Sequence, residues 1–411
     1  MKGILLGAGA SYDCGMPLVW ELTAEIRRWL TKPKLAQYNN GWKLQGGGWD
    51  DYMIFELEKL LDNKNIHYEE MIGNIETLFS RERNEEIRQR LHTVHGFLLQ
   101  AVYGLLLERQ IKNMKYAMHA LYDYGGFKKM AEENRPLWVF SLNHDLIVEL
   151  LASKLFIPVK SGFNDTVSIP MRFEPNANAQ RINFQFLSRD SIESSKYDFF
   201  KQGELGVNLI KLHGALDIFG YKDELNYLKI LPQDNRPESY VDQLLLVNDI
   251  NQKTAVREAS QHRSYIVNEN IYFDEFGDLQ FLRKSILSGA HKFSKQISQI
   301  APSEFLHLFR DHLNSFDELI CIGYSFADSH IDQILKNWLS FSPDKKLTIV
   351  NPGIDRCPSH FNCLHSQVTC ICQGASDYFL GIEEIPGNTF NQEIRAIRKE
   401  VRKKIMKDLI G

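Results

Sequence analysis

The stretch Gly3-Ile4-Leu5-Leu6-Gly7-Ala8-Gly9-Ala10-Ser11 decides the reading of this chain. Residues 3–6 are a short apolar run, which predicts a buried strand, and the run breaks into a Gly-x-Gly turn. Pro17 then stands at the start of a helical pattern running from Leu18 to Leu30. A strand–glycine turn–helix unit lets backbone N–H groups approach a pyrophosphate, whose charge the helix N-terminus favours. Glycines also make plain tight turns, so Gly7, Ala8, Gly9 and Ser11 fit a phosphate loop or a simple turn. The third glycine of the dehydrogenase fingerprint is missing, and no Walker loop occurs.

Three later loops repeat the arrangement of an apolar run ending in polar residues. Leu137-Trp138-Val139-Phe140 leads into Ser141-Leu142-Asn143-His144-Asp145 and a helix from Leu146 to Leu155. Val207 to Leu212 ends at His213-Gly214, and Leu319-Ile320-Cys321-Ile322 runs into Gly323-Tyr324-Ser325-Phe326-Ala327-Asp328. Further strands are read at Leu347–Val350, before Asn351-Pro352-Gly353, and at Val368–Cys372. Six strand candidates, most followed by helices, predict an α/β fold: a doubly wound, Rossmann-like parallel sheet. Open parallel sheets bind ligands at such strand ends.

The expected division follows. Residues 1–30, 135–219 and 313–385 form the Rossmann-like domain, and residues 31–134 an inserted helical subdomain. Within it, 31–50 reads as a mobile loop because of Lys32-Pro33-Lys34, Asn39-Asn40-Gly41 and Gly46-Gly47-Gly48. Residues 220–312 form a second insertion, helical in its later part. Residues 386–411 form an amphipathic helix with Ile394, Ile397, Val401, Ile405 and Leu409 on its packed face. Arg395, Arg398, Lys399, Arg402, Lys403 and Lys404 form a solvated basic face.

Bulk properties narrow the function classes. The chain has 411 residues and a net charge of −4, so no global basicity points to nucleic acid. Met1–Leu6 is too short for a secretion signal or a membrane span. With six cysteines and no export signal, the expectation is a cytoplasmic protein with free thiols. Cys357, His360, Cys363, His365, Cys370 and Cys372 cluster, but their spacings are not those of zinc pairs, so buried thiols and no metal are expected.

The motif residues carry recognisable chemistry. Asn143 could orient a ribose hydroxyl or a water, and Asp145 could hold a carboxamide NH₂; either could instead cap the following helix. His213, one of 13 histidines, holds a strand-end position suited to a general base. Ser325 could donate to a phosphate or ribose oxygen, while Asp328 caps its helix. Asn351 could bind a ribose hydroxyl or serve as a turn residue before Pro352.

Taken in order, Gly7-Ala8-Gly9-Ala10-Ser11, Asn143, His213-Gly214 and Gly323-Tyr324-Ser325-Phe326-x-Asp328-x-x-Ile331 resemble the sirtuin-like NAD-consuming family, in particular its bacterial anti-phage branch. The resemblance covers the sheet regions, about half of the chain. It implies that Gly7, Gly9 and Ser11 form the phosphate loop and that Asn143 orders the nicotinamide ribose and a water. Asp145 would hold the carboxamide, with His213 as the catalytic histidine. Gly323 and Ser325 would form the second dinucleotide loop, Asn351 the ribose contact, and Asp377 a late loop near the adenine.

Three departures accompany it. His144 stands where classical sirtuins have an apolar residue, and seventy positions separate Asn143 from His213. Residues 214–320 contain no cysteine, so the zinc ribbon of protein-deacylating sirtuins is missing.

The resemblance implies an NAD glycohydrolase that depletes NAD in anti-phage defence. It also implies a homo-oligomer, paired with a HerA-type ATPase/helicase or with a short Argonaute. The alternatives are an NAD-dependent deacylase or ADP-ribosyltransferase, and a non-catalytic sensor of NAD or ADP-ribose.

Overall fold

In the computed structural model, residues 1–44, 46–222, 226–261, 268–289, 302, 304–383 and 389–410 are described. The chain opens with β1 (Lys2–Leu6), a 3-10 turn at Ala8–Ser11 and α1 (Val19–Trp29). There follow α2 (Lys32–Leu44), α3 (Asp51–Asp62), α4 (Tyr68–Arg81), α5 (Glu85–Lys112), α6 (Met114–Ala120) and α7 (Gly126–Glu133). The middle of the chain holds β2 (Leu137–Ser141), α8 (Ile147–Lys154), β3 (Val159–Lys160), β4 (Asp165–Met171), β5 (Gln180–Leu187) and α9 (Arg189–Glu193). After these come β6 (Val207–Lys211), β7 (Gly214–Tyr221), β8 (Asn226–Ile230), α10 (Ser239–Ser260), β9 (Glu269–Phe273) and β10 (Leu279–Ile286). The last part comprises α11 (Glu304–Leu313), β11 (Glu318–Ile322), α12 (Ser329–Phe341), β12 (Lys346–Val350), β13 (Val368–Ile371), α13 (Ala375–Glu383) and α14 (Thr389–Ile410).

Among the described residues, seven parallel strands run in the order β13-β12-β11-β1-β2-β6-β3. This is the expected Rossmann-like α/β sheet, with one strand more than the sequence suggests. Both faces are buried because strand side chains alternate. Ile4, Leu6, Val139 and Leu209 enter the core shared with the helices of the first insertion. Leu5, Phe140, Ile210 and Cys321 enter the opposite core, against α11 and α12. Strand order reverses at β1, which lies between β11 and β2, and such a reversal opens a crevice at the carboxyl ends.

Four expectations change. The loop expected over 31–50 is largely helix: α2 buries Leu35, and Pro33 sits in its first turn, where a missing N–H costs nothing. Asn39 is also buried; its Nδ2 donates to Trp49 O at 3.0 Å and its Oδ1 accepts from Trp49 N at 2.6 Å. The second insertion begins earlier than residue 220, because a six-stranded antiparallel sheet, β4-β5-β8-β7-β10-β9, starts at Asp165. Within 220–312, α10 and most of α11 are helical, while 223–225, 262–267, 290–301 and 303 lie outside the described residues.

The third change concerns α14, which docks by the face read as solvated. Arg395 is buried and donates to Asp123 Oδ2 at 2.7 Å, and Arg402 reaches Tyr12 O and Met16 O, both at 2.7 Å, and the Glu21 carboxylate. Ile397 and Val401, expected inside, are 60% and 51% exposed. The fourth is the cysteine cluster near the C-terminus: Cys363 and Cys372 are exposed and Cys357 and Cys370 half-buried, rather than packed inside. No group of His, Cys, Asp or Glu among the described residues could hold a metal ion, and no helix among them is long and apolar enough to cross a membrane.

Candidate active site

The carboxyl ends of β1, β2, β6 and β11 open into a cavity of about 1060 Å³, at the upper end of the ~300–1,000 Å³ range of small-molecule sites. Gly7, Ala8 and Gly9 line it together with Asn143, Asp145, His213, Gly323, Ser325 and Asn351. Four loops far apart in sequence are thus brought to one place.

The two glycine loops touch each other. Gly9 N donates to Gly323 O at 2.9 Å and Gly7 N to Ile322 O at 3.0 Å. Gly323 has φ +66°, and a Cβ on it would lie 2.2 Å from Ala10 N. A Cβ on Gly9 would lie 2.7 Å from Gly323 Cα. Glycine is required here for backbone to pack on backbone. The amides of Gly7, Gly9 and Ala10 are bonded to carbonyls of the loops and of β11, and the loops wall the cavity.

Asn143 joins the second loop to the first. Its Nδ2 donates to Gly7 O at 2.9 Å and to Ser11 Oγ at 3.1 Å. It is therefore a bridge rather than a helix cap. Ser11 is buried behind the wall and does not line the cavity, contrary to its expected place in a phosphate loop. Asp145 does act on the helix, accepting from Ile147 N at 3.1 Å. Burial pushes its carboxyl pKa up, opposed by the nearby Lys211 ammonium and by hydrogen bonds from Ile147 N–H and Ser11; the net shift is upward.

His213 sits where the chain leaves the parallel sheet at β6 and enters the antiparallel one at β7. Gly214 makes the change of direction: it has φ +77°, and a Cβ there would lie 2.1 Å from Ser285 O. His213 O accepts from Leu287 N at 2.8 Å, which fixes the backbone from the other side. The imidazole Nε2 lies 3.2 Å from Asp328 Oδ2. The other oxygen, Asp328 Oδ1, caps α12 by accepting from His330 N at 3.1 Å and Ile331 N at 3.4 Å. Asp328 is thus both the expected cap and an unexpected histidine partner. His144, the departure in the second motif, also lines the cavity, its ring centroid 6.4 Å from that of His213.

Replacing Asp328 with asparagine separates its two roles, since asparagine caps helices as well as aspartate does. The D328N protein is expected to keep its melting temperature, because the cap on α12 is retained while the carboxylate beside His213 is lost. A clearly lower melting temperature in D328N would tie the fold to the carboxylate's charge rather than to the cap.

Asn351 lines the cavity, but its amide is partly engaged: Nδ2 donates to Tyr324 O at 3.0 Å and Oδ1 accepts from Gly353 N at 2.9 Å. It holds the β11 loop and shapes its own turn, so the turn-residue reading has a structural basis. Asp377 does not line the cavity; it sits on α13, with Oδ1 3.3 Å from Arg395 Nη2.

Two participants escaped the sequence reading. Lys211, on buried β6, donates to Asp145 O at 2.5 Å and lies 3.3 Å from Glu149 Oε2, so it pins the Asn143–Asp145 loop from behind. A lysine inside an apolar strand run was the available signal, because a buried ammonium must be paired. Asp13, beside the glycine loop, accepts from Ser376 Oγ at 2.6 Å and lies 3.6 Å from Lys399 Nζ. No protein-family model matches this chain, and no curated protein matches it either.

Proposed function

We propose that the cavity is the active site of an NAD glycohydrolase, which cleaves NAD with water to nicotinamide and ADP-ribose. One observation carries this reading: His213, paired with Asp328, faces the same cavity as Asn143, Asp145 and the two glycine loops. In the proposed reaction the C1′–N bond to nicotinamide breaks with its electron pair going to the ring nitrogen. Nicotinamide leaves neutral and the ribose becomes oxocarbenium-like. Water then adds at C1′ and loses its proton to His213, with Asp328 orienting the imidazole. The Asn143 NH₂ is committed to Gly7 O and Ser11 Oγ. Its carbonyl oxygen is therefore the atom left to meet a ribose hydroxyl or the water. Asp145 would accept from the carboxamide NH₂. The absence of cysteine from residues 214–320 weighs against deacylation.

The primary test is incubation of the purified protein with NAD, with nicotinamide and ADP-ribose resolved by chromatography. Equimolar release of both supports the reading; release of nicotinamide with another ADP-ribosyl product would point to transfer or cyclisation. A second expectation concerns pH. Only the ionised Asp145 carboxylate is a full acceptor, and burial raises its pKa. As pH falls through that raised value, kcat/KM should decline, at a pH higher than that at which an ordinary aspartate is protonated. In D145N this acidic limb should flatten; an unchanged limb would remove Asp145 from substrate binding. The family resemblance extends the proposal to NAD depletion in anti-phage defence, with a HerA-type ATPase as partner.

A further inference from the structure

The C-terminal helix closes one side of the cavity, and its cations answer a problem the glycine loops leave open. Among the described residues lining the cavity, the lysine and arginine side chains are those of Lys399 and Lys403 alone. The carboxylates of Asp13, Glu21, Glu69, Asp145 and Asp328 line it as well. A dinucleotide brings a doubly charged pyrophosphate into this acidic surround. The amides of Gly7, Gly9 and Ala10 are bonded to carbonyls of the loops and of β11, so they do little to neutralise it.

We propose that Lys399 and Lys403 of α14 bind the pyrophosphate, which makes the C-terminal helix part of the substrate site. This inference rests on the NAD reading. The Lys399 ammonium lies 3.6 Å from Asp13 Oδ1, and a Cβ on Gly374 would lie 3.7 Å from Lys399 Nζ. Both neighbours line the cavity at the glycine-loop end. Ser376 also donates to Asp13, so that carboxylate keeps a partner when Lys399 turns to a phosphate. Lys403 stands at the rim and pairs with Glu400 of its own helix at 3.0 Å, an exposed contact that is readily exchanged for a phosphate. The helix is held for this task by Arg402, whose guanidinium grips the carbonyls of Tyr12 and Met16 just beyond the glycine loop.

The experiment measures binding of ADP-ribose and of adenosine to the full-length protein by calorimetry, together with NAD kinetics. The variants are K403Q, K399Q/K403Q and K399R/K403R. ADP-ribose affinity is expected to fall at least about tenfold in K399Q/K403Q and less in K403Q, the scale of lost charge-assisted contacts. Adenosine affinity should not follow it. Loss in NAD turnover should appear in KM more than in kcat, and K399R/K403R should restore most of it. Because Lys403 is exposed, K403Q reports on binding even if the double variant folds poorly. Wild-type ADP-ribose affinity in folded K399Q/K403Q would overturn the assignment and leave the NAD reading standing. If the wild-type protein neither bound ADP-ribose nor consumed NAD, the NAD reading would fall, and this inference with it.

Discussion

Replacing His213 with alanine is expected to lower NAD turnover by at least about 10²-fold, the usual contribution of a positioned acid–base group. The fold should survive. The imidazole borders a cavity, so its removal enlarges open space rather than emptying a packed core. The backbone around it is held by Leu287 N–H and by the tight approach of Gly214 to Ser285, and alanine changes neither. ADP-ribose affinity should change far less than kcat, since the proposed role is at the reacting carbon. The comparison to make is kcat for NAD beside ADP-ribose affinity in wild type and H213A. Near-normal turnover in H213A would sink the glycohydrolase mechanism as written.

Substituting methionine for Lys229 should destabilise the protein by about 3–5 kcal/mol, the cost of breaking a buried ion pair from one side. Lys229 Nζ lies 2.5 Å from Asp217 Oδ2 and 3.0 Å from Glu149 Oε1, with all three side chains buried. Burial alone would lower the lysine pKa, but the two carboxylates outweigh it and the net shift is upward. Burial likewise pushes Glu149 up, and Lys211 and Lys229 together pull it further down, so its net pKa is depressed. A depressed carboxylate stabilises the fold above its unfolded pKa and loses that contribution as pH falls through the folded one. The Glu149 contribution is therefore intact at neutral pH and fades only in acid. Without Lys229, Asp217 loses its ion-pair partner and Glu149 keeps only Lys211. Denaturant unfolding of K229M is the measurement. A loss below about 1 kcal/mol, the scale of an exposed pair, would mean the network is solvated. Lys211 belongs to the same network and holds the Asp145 carbonyl, so K229M should also weaken substrate binding.

The parallel sheet was legible because its main strands are dominated by apolar residues, as strands buried on both faces must be, even where β6 carries Asn208 and Lys211. β3 has two residues, Val159–Lys160, too few for any periodicity. The antiparallel sheet was hidden by charges within its strands, Lys229 in β8 and Arg283 and Lys284 in β10, whose partners lie on other elements. Lys284, for example, donates to Gln100 Oε1 on α5 at 2.5 Å. α2 defies its local preferences, since Asn39 is held by Trp49 rather than by helix propensity. In α14 the period was readable but the inner face was not. Hydrophobic patterning places the isoleucines inside, whereas Asp123, Glu21 and Asp13, all distant in sequence, draw the basic side inward. For the site, the motif residues were visible one by one. The pairing of His213 with Asp328 was not, because no local pattern relates the turn after β6 to the cap of α12, which meet only after folding.

The position of β1 has a consequence for how the protein comes into being. Its five residues pair with β2 at Trp138–Ser141 and with β11 at Glu318–Ile322. The centre of the sheet is therefore unpaired on one side until Glu318, 316 positions after Lys2, has docked. Contacts of such long sequence separation form slowly, because the loop between them has to close first. His213 has no Asp328, and Gly9 no Gly323, until that closure. A chain that has not yet closed this pairing thus carries the motifs without the assembled site. The cavity walls are therefore assembled by the most distant pairing in the parallel sheet.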